Sequence, residues 1–214
     1  MLKNKLQKKT LIKTRMSKYP VMEQFLTLQG EGYHTGRSAI FIRLGGCDVG
    51  CVWCDVKESW DANNHHVNST EEIIERVKNI DSDFIVLTGG EPAMYDLSEI
   101  CKGLKALNKT VAIETSGTYP LKGKLDWYTF SPKKFKKPIP EAYEKANELK
   151  VVIYHKSDFR WAQKHAEKVK EQCLLYMQPE WSKKDDLMDE IISFVKRNKG
   201  WRISLQTHKF MNIP

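Results

Sequence analysis

The sequence predicts an α/β fold, a mostly parallel sheet crossed by helices. Short apolar runs of four to six residues alternate with amphipathic stretches along most of the chain, the pattern of strands joined by helices rather than hairpins. Nearly every run ends in a polar or glycine-rich motif. With 214 residues, 41% of them hydrophobic, the chain suits one domain with its own core.

Taken in order, AIFIRL (residues 39–44) is the first strand. CDVGCVWC follows, with Gly45, Gly46 and Gly50 in and beside it, and is a loop. Ser69 and Thr70 open a helix, because STEEIIERV sets an acidic first turn before an amphipathic body. FIVL (84–87) is a buried strand ending in TGGEP, and a helix covers residues 97–107. TVAI (110–113) ends in ETSG, WYTF (127–130) ends in SPK, and residues 140–148 read as helix. The pattern repeats as strand 149–154, helix 159–170, strand 173–177, helix 184–197 and a last strand 201–206 that runs into THK.

In α/β sheets and barrels, ligands bind at the carboxyl ends of the strands. The motifs after these strands are therefore expected to meet at one mouth. A barrel and an open doubly wound sheet both satisfy the pattern. Neither G-x-G-x-x-G nor G-x-x-x-x-G-K-[ST] occurs, so the Rossmann and P-loop phosphate sites are not predicted.

Residues 1–18 carry Lys3, Lys5, Lys8, Lys9, Lys13, Arg15 and Lys18 with no apolar stretch. They read as a basic, flexible arm rather than a secretory signal, leaving 19–214 as a single domain. No run is long and apolar enough to cross a bilayer, and a cytoplasmic protein with no membrane partner is expected. The net charge of +8 favours anionic partners without selecting one. No CCHH finger or RRM signature appears, so nucleic acid is not the expected partner. Cys101 and Cys173 stand alone in apolar settings and read as buried small hydrophobes.

Cys47, Cys51 and Cys54 are different: three thiols in eight residues, spaced C-x3-C-x2-C. Structural zinc takes four ligands, which His65 or His66 would have to complete. A [4Fe–4S] cluster takes one ligand per iron, so three cysteines leave one iron open to a small molecule.

The spacing, with Trp53 just before the last cysteine and Gly89–Pro92 (GGEP) after the next strand, resembles the radical S-adenosylmethionine (SAM) superfamily. The stretches FLTLQGEGYHTGRSAIFIRLGGC, CVWCD, LTGGEP, IETSGT, SPK and LQTHKFMNIP are similar to the 7-carboxy-7-deazaguanine synthase family, from residue 22 to the end. The resemblance implies a modified, incomplete (β/α) barrel, a homodimer and a small electron-transfer protein as reductant. It implies the rearrangement of 6-carboxy-5,6,7,8-tetrahydropterin to 7-carboxy-7-deazaguanine with loss of ammonia, in queuosine or deazapurine biosynthesis. The cofactors implied are a [4Fe–4S] cluster on Cys47, Cys51 and Cys54, SAM and Mg²⁺.

Roles follow from the same resemblance. Gln29, Glu31, Arg43, Thr88, His208 and Pro214 are expected at the substrate. Gly90, Glu91, Glu114, Ser116, Ser131 and Lys133 are expected at SAM. The residues themselves allow blander readings: turn residues at Gln29 and Glu31, a snorkelling Arg43, a surface His208 near a frayed end, and caps at the strand ends. One position departs from the family pattern. Many relatives place a threonine that helps hold Mg²⁺ two residues after the last cysteine; here it is Val56, which has no oxygen to offer. Two rivals remain at this point, an activase acting on a partner protein and a zinc-binding module on RNA.

Overall fold

The computed structural model describes residues 17–214. Its strands are β1 (Lys18–Leu28), β2 (Ser38–Leu44), β3 (His66–Ser69), β4 (Phe84–Gly89), β5 (Thr110–Thr115), β6 (Trp127–Phe130), β7 (Glu148–Ile153), β8 (Leu174–Pro179) and β9 (Trp201–Ile203). The helices are α1 (Thr70–Lys78), α2 (Ser98–Ala106), α3 (Pro140–Lys145), α4 (Ser157–Ala166), α5 (Lys184–Arg197) and α6 (Thr207–Met211). One nine-stranded sheet runs in the order β3-β1-β2-β4-β5-β6-β7-β8-β9. From β2 to β9 every neighbouring pair is parallel, while β1 pairs antiparallel with both β2 and β3.

The ladder does not close. The segment after β1 bridges the gap to the far edge instead: Thr207 N donates to Gly30 O at 2.9 Å, and Gly32 N donates to Ser204 Oγ at 2.9 Å. This is an incomplete (β/α) barrel, as the resemblance implied.

Strand alternation sorts the side chains into two environments. Ile40, Ile42, Leu44, Ile85, Leu87, Val111, Ile113, Leu149 and Val151 pack with Ile73, Ile100, Leu104, Ala162 and Ile191 from the helices. The alternate residues face inward. Ala39, Phe84, Val86 and Ala112 make a small apolar floor with Phe41 and Trp127 against it. Above that floor the inward positions turn polar: Thr88, Glu114, Lys150 and Gln178. A sheet covered by helices on one side only has room for such a polar interior because its other side is the ligand chamber.

The α1 start follows the sequence closely. Ser69 Oγ accepts from Glu72 N at 3.3 Å and Glu72 Oε2 accepts from Ser69 N at 2.7 Å, a reciprocal cap. Elsewhere the boundaries shift. β1, β3 and α6 were not assigned from sequence. β1 mixes Tyr19, Pro20, Glu23, Gln24 and Thr27 with apolar residues and carries a bulge between Val21 and Glu23, which breaks its alternation. The expected helix over 140–148 stops at Lys145, because Glu148 already pairs with Thr129 as β7. The last strand stops at Ile203 rather than 206, where the chain turns to start α6. Lys18, placed in the basic arm, begins β1 and pairs with Ser69, and Ser17 just before it donates from N to Glu99 Oε2 on α2 at 2.7 Å. The rest of the arm lies outside the described residues. Among these no helix is long and apolar enough to cross a membrane.

Candidate active site

The cysteine loop leaves β2 and is pinned at its base, where Gly46 N donates to Ser59 O at 2.6 Å and Cys47 N to Trp60 O at 3.0 Å. The turn after β4 docks onto it backbone to backbone. Gly90 N donates to Leu44 O and Glu91 N to Gly46 O, both at 2.9 Å. This contact accounts for two glycines of TGGEP. Gly89 has φ +138°, and a Cβ there would overlap the Leu44 backbone; a Cβ on Gly90 would stand 2.7 Å from Cys47 Cβ.

All three loop thiols are free, with Cys51 buried and Cys47 and Cys54 half-buried. Burial pushes the Cys47 thiol up and the Cys51 thiol to about 11. A thiol so buried becomes a thiolate when a metal takes its proton's place. Lys133 lies close enough that its charge favours the Cys51 thiolate. His65 and His66 do not supply a fourth ligand: His65 Nε2 lies 2.9 Å from Glu58 O, and His66 sits exposed on β3 opposite Val21. Among the described residues no set of three or more His, Cys, Asp or Glu is arranged around a single ion. Three sulfur donors on one loop, with none added locally, fit a cluster with one iron left to a ligand.

Beside the loop opens a cavity of about 410 Å³, a size suited to small molecules. Its wall includes Cys47, Cys51, Cys54 and every residue expected at the substrate or SAM: Gln29, Glu31, Arg43, Thr88, Gly90, Glu91, Glu114, Ser116, Ser131, Lys133, His208 and Pro214. The strand ends converge as expected.

At the bottom of the cavity lies a ring of polar side chains. Lys150, on β7, has a side chain only 3% exposed. It donates to Glu114 Oε2 at 2.8 Å and to Glu31 Oε2. Gln29 Nε2 donates to Glu114 Oε1 at 2.8 Å, and Gln29 Oε1 accepts from Glu31 N at 3.1 Å, which closes the ring. Gln206 Nε2 holds the other oxygen of Glu31 at 2.8 Å. Burial works against a charged Glu31, yet Lys150 and Gln206 hold its carboxyl down at about 2. For Lys150 burial alone would lower the ammonium's pKa, but Glu114, Glu31 and Glu148 outweigh it and raise it. One layer down, burial pushes the Glu148 carboxyl up to about 7, and it accepts from Tyr33 N at 3.1 Å.

A family model described as the radical SAM superfamily matches residues 41–154. A 7-carboxy-7-deazaguanine synthase of Flavobacterium psychrophilum is 54% identical over 195 residues, covering 91% of this chain and 92% of its own length. One from Synechocystis is 45% identical over 91% of this chain and 93% of its own. The chain belongs to the 7-carboxy-7-deazaguanine synthase family. The crystal structure of QueE from Escherichia coli superposes with a TM-score of 0.79 at 32% identity, over 88% of this chain and 93% of that one.

Membership in this family makes the chain a radical SAM lyase, whose chemistry rests on SAM and a [4Fe–4S] cluster. Several residues nevertheless sit differently from a simple ligand list. The Glu91 carboxylate is 1% exposed and fully engaged, accepting from Ala93 N at 3.0 Å, Ser116 N at 2.8 Å and the hydroxyls of Thr115 and Ser116. It ties the β5 end to the cysteine loop. Lys133 Nζ donates to Ser131 O at 2.7 Å and Ser131 Oγ at 2.6 Å. Arg43 is paired through Nε with Glu23 Oε1 at 2.6 Å, its register partner on β1, which leaves the rest of the guanidinium fork for other acceptors. His208 packs against Gly30 so closely that a Cβ there would overlap its ring, and burial lowers its pKa. Thr27 Oγ1 donates to Pro214 O at 3.0 Å, so the chain's last residue is held at the wall.

Lys150, Gln206 and Gln178 of the cavity wall were missed in the sequence. The signal for Lys150 was present. A charged residue inside the run LKVVI is as odd as Arg43 inside IFIRL.

Proposed function

We propose that this chain converts 6-carboxy-5,6,7,8-tetrahydropterin to 7-carboxy-7-deazaguanine with loss of ammonia; its relatives are named for that product. The observation that carries this reading is the shared wall. Three unpaired thiols and a buried ring of alternating donors and acceptors line one chamber of about 410 Å³. A pterin's amide and aminopyrimidine edges need paired donors and acceptors when taken out of water, and Gln29 and Glu31 supply them.

Cys47, Cys51 and Cys54 would hold the cluster; together with SAM it supplies, when bound, a 5′-deoxyadenosyl radical. The chain's own residues position and shield. Ser131, Lys133, Ser116 and Glu114 would receive SAM, with Lys133 facing its carboxylate. The Gly90 region would lie at its amino group, and Glu91 fixes that turn. Arg43 keeps N–H donors free for the substrate carboxylate. Thr88, His208 and Pro214 would face the substrate from the chamber wall and help position it. A homodimer and a small electron-transfer protein as reductant belong to the same reading. The test is anaerobic reconstitution with iron and sulfide, then mass analysis of products from SAM, dithionite and the carboxypterin. The expected product is 7-carboxy-7-deazaguanine, formed without a partner protein; its absence from a fully loaded sample would defeat the reading.

Mg²⁺ finds poor support in the residues present. Val56 lines the chamber with no side-chain oxygen, its carbonyl taken by Ser59, and Asp55 Oδ2 already takes Lys209 at 2.9 Å and Gln206 at 3.4 Å. Wild-type turnover is expected to respond to Mg²⁺ by less than about threefold. Val56→Thr restores an oxygen donor and should respond more strongly. A titration of both proteins with MgCl₂ after chelator treatment decides it.

A further inference from the structure

Lys150 is neither a cysteine-loop residue nor a strand-end residue, and the proposed function gives it no role. Among the described residues it is nevertheless the only cation drawn into the ring below the chamber, and it sits between two acids from different elements. Its two partners face different ligands in the proposed reading: Glu31 the pterin, Glu114 the cofactor.

The free valences of Glu31 are countable. A carboxylate offers about four acceptor positions, two on each oxygen. Lys150 occupies one on Oε2 and Gln206 one on Oε1. That leaves one position on each oxygen. Two parallel acceptors on an ionised, immobile carboxylate match two adjacent N–H donors, such as the amino group and ring N–H of a 2-amino-4-oxopyrimidine. An acceptor placed there, such as the C2 carbonyl of a 2-oxo ring, meets a negative charge with no proton to share.

We propose that Lys150 is a specificity-setting positioning residue: by holding Glu31 as a fixed anion it makes the site read the 2-amino edge of the substrate and reject a 2-oxo ring. The inference rests on the pterin reading and deepens it. Lys150 acts through Glu31 rather than by contact with reacting atoms. The charged groups around the pair are Glu114 on β5, Glu148 on β7, Lys133 after β6, and His208 and Asp55 at the mouth. None of the cations among them donates to Glu31 as Lys150 does. Without Lys150, burial is left as the main influence on Glu31 and drives its carboxyl to the protonated form, which can donate to a carbonyl.

The experiment compares kcat/KM for 6-carboxytetrahydropterin and for its 2-oxo counterpart, 6-carboxytetrahydrolumazine, in reconstituted wild type, Lys150→Met and Lys150→Arg. Wild type should prefer the pterin by about a hundredfold or more, because a site built around hydrogen bonds rejects analogues that leave its groups unpaired. In Lys150→Met that preference should fall to within about tenfold, chiefly through the KM of the pterin. It should recover as pH rises and Glu31 ionises again, whereas the wild-type preference stays flat over about pH 6 to 9, far above the folded carboxyl's titration. Lys150→Arg should keep the preference. Should Lys150→Met fail to fold or load, Glu31→Gln carries the test, since its amide presents an N–H to the 2-oxo carbonyl and should erase the preference by itself. A Lys150→Met or Glu31→Gln protein with the wild-type ratio would overturn the proposal. A wild type inert toward the pterin defeats the proposed function; a wild type that turns it over without discrimination defeats this inference alone.

Discussion

Cys51→Ala is expected to yield folded protein with no cluster and no turnover. Cys51 is the middle thiol of the loop and the buried one, 8% exposed. The substitution removes a single sulfur beside the open chamber, so the loss of packing is small, about 1 kcal/mol. The chemical loss is complete. A four-iron cluster with only two protein thiolates has two irons exposed to exchange, and the flanking Cys47 and Cys54 cannot make up the donor. Cys101 and Cys173 offer no substitute: each lies in the apolar core, where burial pushes its thiol up to about 12. The measurements are iron content and the absorbance near about 400 nm, where such clusters absorb, with release of 5′-deoxyadenosine from SAM and dithionite. Wild type should carry about four irons per chain by the definition of the cluster, and the variant close to none. Normal turnover by Cys51→Ala would remove the basis of the proposed function.

Glu91→Ala should lower stability strongly although it adds no atom to the GGEP turn. The carboxylate satisfies two backbone N–H groups and two hydroxyls in a site with almost no access to water. Removing the acceptor leaves buried donors unpaired, and breaking such a buried network costs about 3 to 5 kcal/mol. For a chain of this length about 2 to 4 °C of Tm goes with each kcal/mol, so a fall of roughly 10 °C is expected. Glu91→Gln keeps one acceptor oxygen and should lose about half as much. The same substitution should loosen the cysteine loop, since Glu91 N donates to Gly46 O one residue before Cys47. Thermal melts of the apo chain measure the first effect, and cluster retention after desalting the second. A Tm change below about 2 °C for Glu91→Ala would show that the turn holds without its carboxylate.

The two halves of the site differed in how they could be read. The thiols were legible because three such reactive side chains rarely crowd into eight residues without a metal or redox task, and their spacing is local. The strand-end residues were legible because parallel strands all point their carboxyl ends one way, so Thr88, Glu114 and Ser131 had to share a face. β1 was not legible. Its side chains serve an antiparallel edge and a bulge, and neither imposes a regular period. Its consequence is large, since Glu23 on β1 takes the Nε of Arg43 and so decides which donors of that guanidinium remain. The partners of Glu91 were not legible for a similar reason: GGEP places it beside a ligand, but Thr115 and Ser116, which its carboxylate binds, come from another strand.

The sequence by itself determined what depends on residue type and short spacing: three sulfur donors on one loop, an α/β sheet, and polar strand ends at one mouth. Only the tertiary structure decided who pairs with whom inside. Lys150 lies 119 positions from Glu31 and 36 from Glu114, and all three meet at the wall of one chamber, with Lys150 itself buried. A local pattern cannot encode that, because the strength of a charge–charge contact depends on distance and burial, and both exist only after the strands have curled around a common interior.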